Sequence, residues 1–475
     1  MSANQAKEVH IKINGLDVAC PEGSTILEAA RLAHIHIPTL CLLKDLDPRA
    51  SCRMCVVEVE GARAFQHTCA ARVREGMVVH TDTEAVRASR KLTLQLLLSN
   101  HAVDCHHCLR IGSSRCDDLD PKFCEMCFFC DCVKDGFCEL QALAREYKVD
   151  VLPFEQKHNT LPIDASTVIV RNPNKCIKCK RCVDVCGKVQ TVHNLAASGR
   201  GCEVTIGPAF GKPMAESACI GCGRCVQVCP TGAIYAAEHK DELVYYAHRD
   251  GVKTAATVSA ALIPELERVL HRESGSVSLQ EIVGALKKIG VDTVVDTAEA
   301  EEAACAQAEK LLDERLGQGK PVILTNSFAA KAFLEKTFPG EKDCFLFYDS
   351  ALAVFGKAAA GYDKRFAFGP VGGDAAECEK TRCVDIAVNA RELARIMIRT
   401  GSEPNPGRTA KPEALGLPGS AGRYKRLLGE TAWNLGREPE GFEENGLRCV
   451  ICHNLSEARR ALAEADRYDV IRVIA

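Results

Sequence analysis

Two stretches decide how this chain is read: KCIKCKRCVDVCG at residues 175–187 and ACIGCGRCVQVCPTGAI at residues 218–234. Each repeats the spacing Cys-x-x-Cys-x-x-Cys-x-x-x-Cys. The first supplies Cys176, Cys179, Cys182 and Cys186, the second Cys219, Cys222, Cys225 and Cys229. Thiols separated by two residues on one turn converge on a single metal centre, and the doubled run with its trailing Cys-Pro is the ligand pattern of two 4Fe–4S clusters. In such pairs the last cysteine of each run ligates the other run's cluster. The expected sets are Cys176, Cys179, Cys182 with Cys229, and Cys219, Cys222, Cys225 with Cys186.

The rest of the sequence agrees with a chain built around reduced thiols. Of its 28 cysteines, 22 precede residue 230 and six are scattered over the other half. A disulfide framework belongs to small secreted domains and needs specific Cα separations, whereas this chain has 475 residues and no visible secretory signal. That many thiolates point to a cytoplasmic, low-oxygen setting. Lys and Arg number 60 against 63 Asp and Glu, a net charge of −3, which gives no electrostatic reason for nucleic acid or an anionic membrane. No apolar run approaches the ~18 residues of a membrane span. Dividing by ~150 residues predicts about three domains.

Working outward toward the N-terminus, VHIKIN alternates like a strand, and Thr25 with Glu28 forms a capping-box pattern before a helix. CVVEVEG at 55–61 reads as another strand, so a small β-grasp domain is expected over residues 1–80. Within it, Cys41, Cys52, Cys55 and Cys69 lie on a long loop with three close thiols and one distant one. That set suits a flat 2Fe–2S rhomb with two ligands per iron; the alternative is a zinc knuckle at Cys52 and Cys55. Cys20 falls outside the pattern and reads as a small buried hydrophobe, and Cys202 as structural. A helical run, TEAVRASRKLTLQLLLSNH, ends at His101, and ELQALAREYKV resumes a helix at 139.

This N-terminal spacing resembles the ferredoxin domain of iron-only hydrogenases and of the large peripheral subunit of complex I. In those families a His-x-x-x-Cys-x-x-Cys stretch, closed by a cysteine in a GxCELQ segment, binds a 4Fe–4S cluster through one imidazole. The resemblance implies His101, Cys105, Cys108 and Cys138 as ligands in HAVDCHHC and GFCELQ. Cys116 is a rival for the fourth place. His106 and His107 are read as solvent-facing bystanders. This chain departs from the pattern by an insertion at 109–137 that carries Cys116, Cys124, Cys127, Cys130 and Cys132. A further 4Fe–4S cluster on Cys116, Cys124, Cys127 and Cys130, with Cys132 as substitute, is the preferred reading; a structural zinc or a redox-sensing dithiol are the others. The domains are therefore expected at 1–80, 81–171, 172–237 and 238–475.

Beyond residue 252, helices such as VSLQEIVGALKKIG alternate with strand-like VDTVVDT, PVILTN and CFLFYD, an α/β pattern. GVDTVVDT, VNARELARIMIRTG and YDVIRVIA are similar to segments of the hydrogenase catalytic domain, so the whole chain reads as α+β multidomain, a hydrogenase-like domain closing it. The family holds its active centre on cysteines in TSCCPxW, PCxxKxxE and ACPGGC motifs. Here Asn326 and Ser327 stand in the first, Val371 and Asp374 in the second, and the sequence stops at Ala475 where the third would follow. Neither amide, hydroxyl nor isopropyl replaces a bridging thiolate. Cys378, Cys383, Cys449 and Cys452 could form a replacement site, but scattered core thiols are preferred; Cys305 and Cys344 carry no motif. GPVGGD lacks the strand–GxGxxG–helix context of a dinucleotide site.

The resemblance implies an iron–sulfur electron-transfer subunit without catalytic residues of its own. It is similar to the hydrogenase-like subunits of NAD(P)-linked, ferredoxin-dependent, electron-bifurcating transhydrogenases of the Sporomusa type, or of formate dehydrogenase complexes. The implied partners are an NAD(H)-binding FMN flavoprotein with its own clusters, a small thioredoxin-like 2Fe–2S subunit and a soluble ferredoxin. One 2Fe–2S and three 4Fe–4S clusters are expected, with a fourth 4Fe–4S cluster in the insertion. The sequence shows no acid–base or nucleophile constellation for another reaction, which leaves the C-terminal domain as a docking platform.

Overall fold

Charged and β-branched residues alternate in EVHIKI, and β1 (Glu8–Ile13) accordingly buries Val9, Ile11 and Ile13 on one face. The computed structural model describes residues 7–102, 133–134, 138–149, 151–154, 161–316, 320–369, 373–429 and 440–474. Asn14 and Gly15, both at positive φ, turn the chain into antiparallel β2 (Leu16–Pro21), the hairpin geometry that Asn-Gly favours. β3 (Val56–Val59), β4 (Gln66–His67) and β5 (Val78–His80) complete a sheet of order β2-β1-β5-β3-β4. Helix α1 (Ile26–Leu32) opens on the expected capping box: the Glu28 N–H donates to Thr25 Oγ1 at 3.1 Å, and the Thr25 N–H donates to the Glu28 carboxylate at 2.6 Å. Its Ile26, Leu27, Ala29 and Ala30 pack on the buried face of the sheet.

Helix α2 (Glu84–Ser99) leads to His101. Its Arg90, almost wholly buried, donates to the Val56 carbonyl and to Tyr147 Oη, tying the helix to the sheet and to α3 (Glu139–Glu146). The duplicated cysteine runs come next, framed by antiparallel β6 (Ile169–Arg171) and β9 (Ile234–Ala236). Each run contributes one short helix, α4 (Arg181–Asp184) and α5 (Arg224–Val228), while β7 (Ala196–Ser198) and β8 (Thr205–Gly207) form a small ribbon between them.

After α6 (Lys240–Ala247) the chain builds two sheets. The first is wholly parallel, in the order β11-β10-β14-β15, from β10 (Thr254–Val258), β11 (Thr293–Asp296), β14 (Lys364–Phe368) and β15 (Ile386–Val388). The second, order β13-β12-β18-β17-β16, contains β12 (Val322–Thr325), β13 (Phe345–Phe347), β16 (Glu440–Glu444), β17 (Leu447–Cys452) and β18 (Val470–Val473). It is parallel except for the β16–β17 hairpin. All five residues of β10 and all four of β12 are buried, as expected where helices cover both faces of a parallel sheet.

Those helices are α7 (Ile263–Val269), α8 (Leu279–Ile289), α9 (Thr297–Arg315), α10 (Phe328–Thr337), α11 (Ala351–Ala358), α12 (Gly373–Thr381), α13 (Ala390–Thr400), α14 (Lys425–Gly429) and α15 (Leu455–Ala463). The Gly- and Pro-rich stretch at 401–422 is extended, as its composition predicts. It is clamped onto α8: a Cβ at Gly284 would fall on the Arg408 carbonyl, so only glycine lets the two backbones approach.

Candidate functional site

Cys41, Cys52, Cys55 and Cys69 are all buried, and they gather in two pairs. The Sγ atoms of Cys55 and Cys69 lie 3.4 Å apart, and the thiols of Cys41 and Cys52 are hydrogen-bonded to each other. Cys69 also feels the charges of Cys41 and Cys52, so the pairs face one another. The hydrogen bond from Cys52 draws Cys41 down to about 5, and that from Cys69 draws Cys55 to about 6. Their partners are driven upward, because each pair holds its last proton between two sulfurs. Two thiols on each side fit a 2Fe–2S rhomb. Arg53, at φ 59° between Cys52 and Cys55, makes the reversal that brings them round. Cys20 stands apart, its thiol on the Val9 carbonyl.

The two duplicated runs share a backbone device. Lys178 and Lys180 have φ of 57° and 63°, and their counterparts Gly221 and Gly223 have 73° and 69°. These left-handed residues coil the chain so that successive cysteines point inward. The Lys178 N–H donates to Cys176 Sγ and the Gly221 N–H to Cys219 Sγ, each at 3.4 Å. One small cavity is lined by Cys176, Cys179, Cys182 and Cys229; a second by Cys186, Cys219, Cys222 and Cys225. The last cysteine of each run thus sits with the other run's first three. Burial pushes Cys176 up to about 11, Cys179 to about 12 and Cys219 to about 11, and raises Cys182 and Cys225 well above the ordinary thiol range. Thiolates buried this way need the opposing charge of bound iron.

His101 and Cys138 are both buried, and Cys138 shares one hydrophobic core with Cys41, Cys52 and Cys179. The Ala102 N–H donates to the Asn174 carbonyl at 2.8 Å, and the Glu139 N–H to the Pro230 carbonyl at 3.0 Å. These bonds pin the two segments against the first and the last cysteine, respectively, of the Cys176–Cys229 set. Cys105, Cys108, His106 and His107 lie outside the described residues, as do the insertion cysteines Cys116, Cys124, Cys127, Cys130 and Cys132.

Ion pairs lock these units together. Arg49 grips Asp184 through two bonds of 2.7 and 2.6 Å, and Lys188 reaches Asp47 at 3.0 Å. Arg181 holds Glu139 at 2.6 and 2.9 Å and lies within electrostatic reach of both Cys179 and Cys41.

The C-terminal cysteines behave differently. Cys449 and Cys452, three residues apart on β17, fall on opposite faces of the sheet and enter different cores. Cys305 and Cys344 are isolated core thiols. Cys378 and Cys383 meet each other, and that hydrogen bond draws Cys383 to about 6. The two pairs form no common site.

Between the carboxyl ends of the two sheets lies a cavity of about 600 Å³, walled on its third side by Gly221, Cys222 and Arg224. Asn326 and Ser327 line it; Val371 lies outside the described residues. Among the described residues its cysteine is Cys222, already placed with Cys186, Cys219 and Cys225. The donor set does not fit a thiolate-held hydrogenase centre. Instead the wall carries Glu301, Glu377, Glu392 and the buried Arg472, polar groups that motif reading overlooked. The one signal was an arginine inside the apolar run VIRVIA.

Comparison with known proteins agrees with this layout. Residues 6–84 match a 2Fe–2S iron–sulfur cluster binding domain, residues 215–235 a 4Fe–4S binding domain, and residues 252–424 the C-terminal domain of the iron-only hydrogenase large subunit. The chain is 34% identical over 372 residues to the NADP-reducing hydrogenase subunit HndD of Solidesulfovibrio fructosivorans, covering 74% of this chain and 58% of that one. It is also 34% identical over 235 residues to the G 2 subunit of NADH-quinone oxidoreductase from Rhizobium meliloti, covering 49% of this chain and 24% of that one. The chain therefore spans 58% of the first relative's length and 24% of the second's. Among solved structures it is similar to a chain of NAD+-reducing NiFe-hydrogenase in the H2-reduced state, at 27% identity and a TM-score of 0.40, covering 48% of this chain and 86% of that one. Behind a 2Fe–2S domain and a 4Fe–4S domain, the chain carries the C-terminal domain of the iron-only hydrogenase large-subunit family.

Proposed function

We propose that this chain is the iron–sulfur electron-transfer subunit of a multi-subunit, NAD(P)H- and ferredoxin-linked oxidoreductase of the electron-bifurcating kind, and is not itself a hydrogenase. One observation carries the reading: the cysteine sets follow one another through adjoining buried cores. Cys41 and Cys52 share a core with Cys138 and Cys179, Cys182 shares the next with Cys225 and Cys229, and Cys222 packs against the core of the C-terminal domain. Bound iron–sulfur clusters supply one-electron chemistry. The chain's own residues keep water out, hold the sets at fixed separations through Arg49, Arg181 and Lys188, and donate backbone N–H groups to Cys176 and Cys219.

The cluster inventory proposed is one 2Fe–2S site on Cys41, Cys52, Cys55 and Cys69, two 4Fe–4S sites on the crossed sets, and a third on His101, Cys105, Cys108 and Cys138. A fourth 4Fe–4S site on Cys116, Cys124, Cys127 and Cys130 completes it. The names of the relatives, an NADP-reducing hydrogenase subunit and an NADH-quinone oxidoreductase subunit, support partners that handle nicotinamide nucleotides. Those proposed are an FMN flavoprotein, a small 2Fe–2S subunit and a soluble ferredoxin, in the cytoplasm. Among the described residues no helix is long and apolar enough to cross a membrane.

The test is anaerobic reduction of the purified chain followed by visible absorbance. NADH or NADPH alone should leave the clusters oxidised, and adding the flavoprotein subunit should bleach them. Reduction by a nicotinamide nucleotide without that partner, or hydrogen turnover by the chain itself, would refute the assignment.

A further inference from the structure

Arg472 is 2% exposed, on the central strand β18 of the second sheet. Its Nη1 donates to the Leu427 carbonyl, Tyr348 and Cys305 stand beside it, and its Nε has no hydrogen-bond partner. Among the described residues no carboxylate pairs with it. A guanidinium cannot shed its charge, and burying it without a counter-ion is unfavourable unless an anion comes to it. The residue lines the cavity of about 600 Å³, a volume typical of small-molecule sites.

The same cavity gathers helix N-termini. Thr297 of α9, Phe328 of α10 and Ala351 of α11 each start a helix at its wall, and Asn389 caps α13 there. Four helices of eight or more residues thus turn their positive ends toward one space. The carboxylates present do not cancel this evenly. Glu377 is bonded to Ser350 Oγ, and Glu392 to the Asn389 and His239 N–H groups, whereas Glu301 remains open to the cavity.

We propose that the cavity is a binding site for a small organic monocarboxylate, seated on Arg472 and the surrounding helix N-termini. With Nη1 engaged by the Leu427 carbonyl, the Nε–Nη2 edge of the guanidinium is the fork left for a single carboxylate. Glu301 and Glu377 would repel the second charge of a dicarboxylate or a phosphate dianion. This site is independent of the electron-transfer reading, since the ligand is defined by charge and shape.

The test uses the full chain, anaerobically purified with its clusters, and trifluoroacetate observed by 19F NMR, with acetate, lactate, succinate and inorganic phosphate as competitors. Saturable binding of one trifluoroacetate per chain is expected, displaced by acetate and lactate at least tenfold better than by succinate or phosphate. Arg472→Gln should weaken binding at least tenfold, with partial recovery in Arg472→Lys. Because an altered buried arginine can prevent folding, Ala261→Trp provides a second arm: it fills the cavity from an exposed wall position and should abolish binding in a folded chain. No binding by the unaltered chain at 100 mM, or binding unchanged in Ala261→Trp, overturns the site. Preference for phosphate or succinate overturns the ligand class.

Discussion

Cys176 and Cys179 are separated by two residues, and so are Cys449 and Cys452, yet the first pair shares a site and the second does not. The difference lies in the backbone between them. Lys178 takes a left-handed φ and folds the first pair onto one centre, whereas β17 runs straight and sends residues i and i+3 to opposite faces. A ligand spacing becomes a site only when the intervening dihedrals curl it. The N-terminal half, crowded with such turns, concentrates its thiols; the C-terminal half, made of strands and helices, disperses them and keeps a polar cavity instead.

The largest expected effect breaks the crossed grouping. Replacing Cys186 with Ser should remove about four irons and the EPR signal of the set on Cys219, Cys222 and Cys225, leaving the set on Cys176, Cys179 and Cys182 intact. Loss of the sequence-adjacent cluster would show that each run closes on itself.

In the C-terminal half the comparable lever is a proton. Burial pushes Glu392 from an ordinary 4.5 up to about 7. The folded state therefore binds this proton more tightly than the unfolded state, so its contribution is fully present below pH 4.5 and lost as pH rises through 7. Between pH 5 and 8 the C-terminal domain should lose at most about 3 kcal/mol from this group, and Glu392→Gln should flatten the slope in chemical denaturation. An unchanged slope would mean that Glu392 is charged in the folded domain throughout.

How much of this was legible in advance follows the same division. The cysteine motifs could be read because their spacing is local; in space one cavity is lined by Cys176, Cys179, Cys182 and Cys229 and another by Cys186, Cys219, Cys222 and Cys225. The capping box at Thr25, the hairpin strand before it and the α/β alternation after residue 252 are likewise local patterns. Arg472 was not legible as a site residue. Its meaning depends on β18 lying centrally in a sheet assembled from strands more than a hundred residues apart, and on helix ends that only the tertiary fold brings together. The ion pair between Arg49 and Asp184, 135 residues apart, was invisible for the same reason.

That pair sets a smaller prediction. Asp184→Asn leaves Arg49 facing a neutral amide beside α4, and should cost about 2 kcal/mol in thermal or denaturant unfolding. It should also slow electron transfer between the 2Fe–2S site and the paired clusters; no change in either would mean the domains are held by packing alone. Smaller still, Lys180→Gly should stabilise the iron-free chain by about 1 kcal/mol, since glycine occupies the left-handed position without strain, as Gly223 does in the other run. Destabilisation would show that the lysine side chain contributes more than its backbone costs.

Metal content compares the two halves most directly. Anaerobically purified chain should contain about fourteen irons in the N-terminal sets outside the insertion, and about eighteen with the insertion's cluster. Paired variants then decide the matter, Cys176→Ala with Cys179→Ala against Cys449→Ala with Cys452→Ala, each assayed for iron and zinc on folded protein. The first variant should lose about four irons and the second none. Iron or zinc lost from the second, or full iron retained by the first, would show that the metal-binding thiols are distributed otherwise.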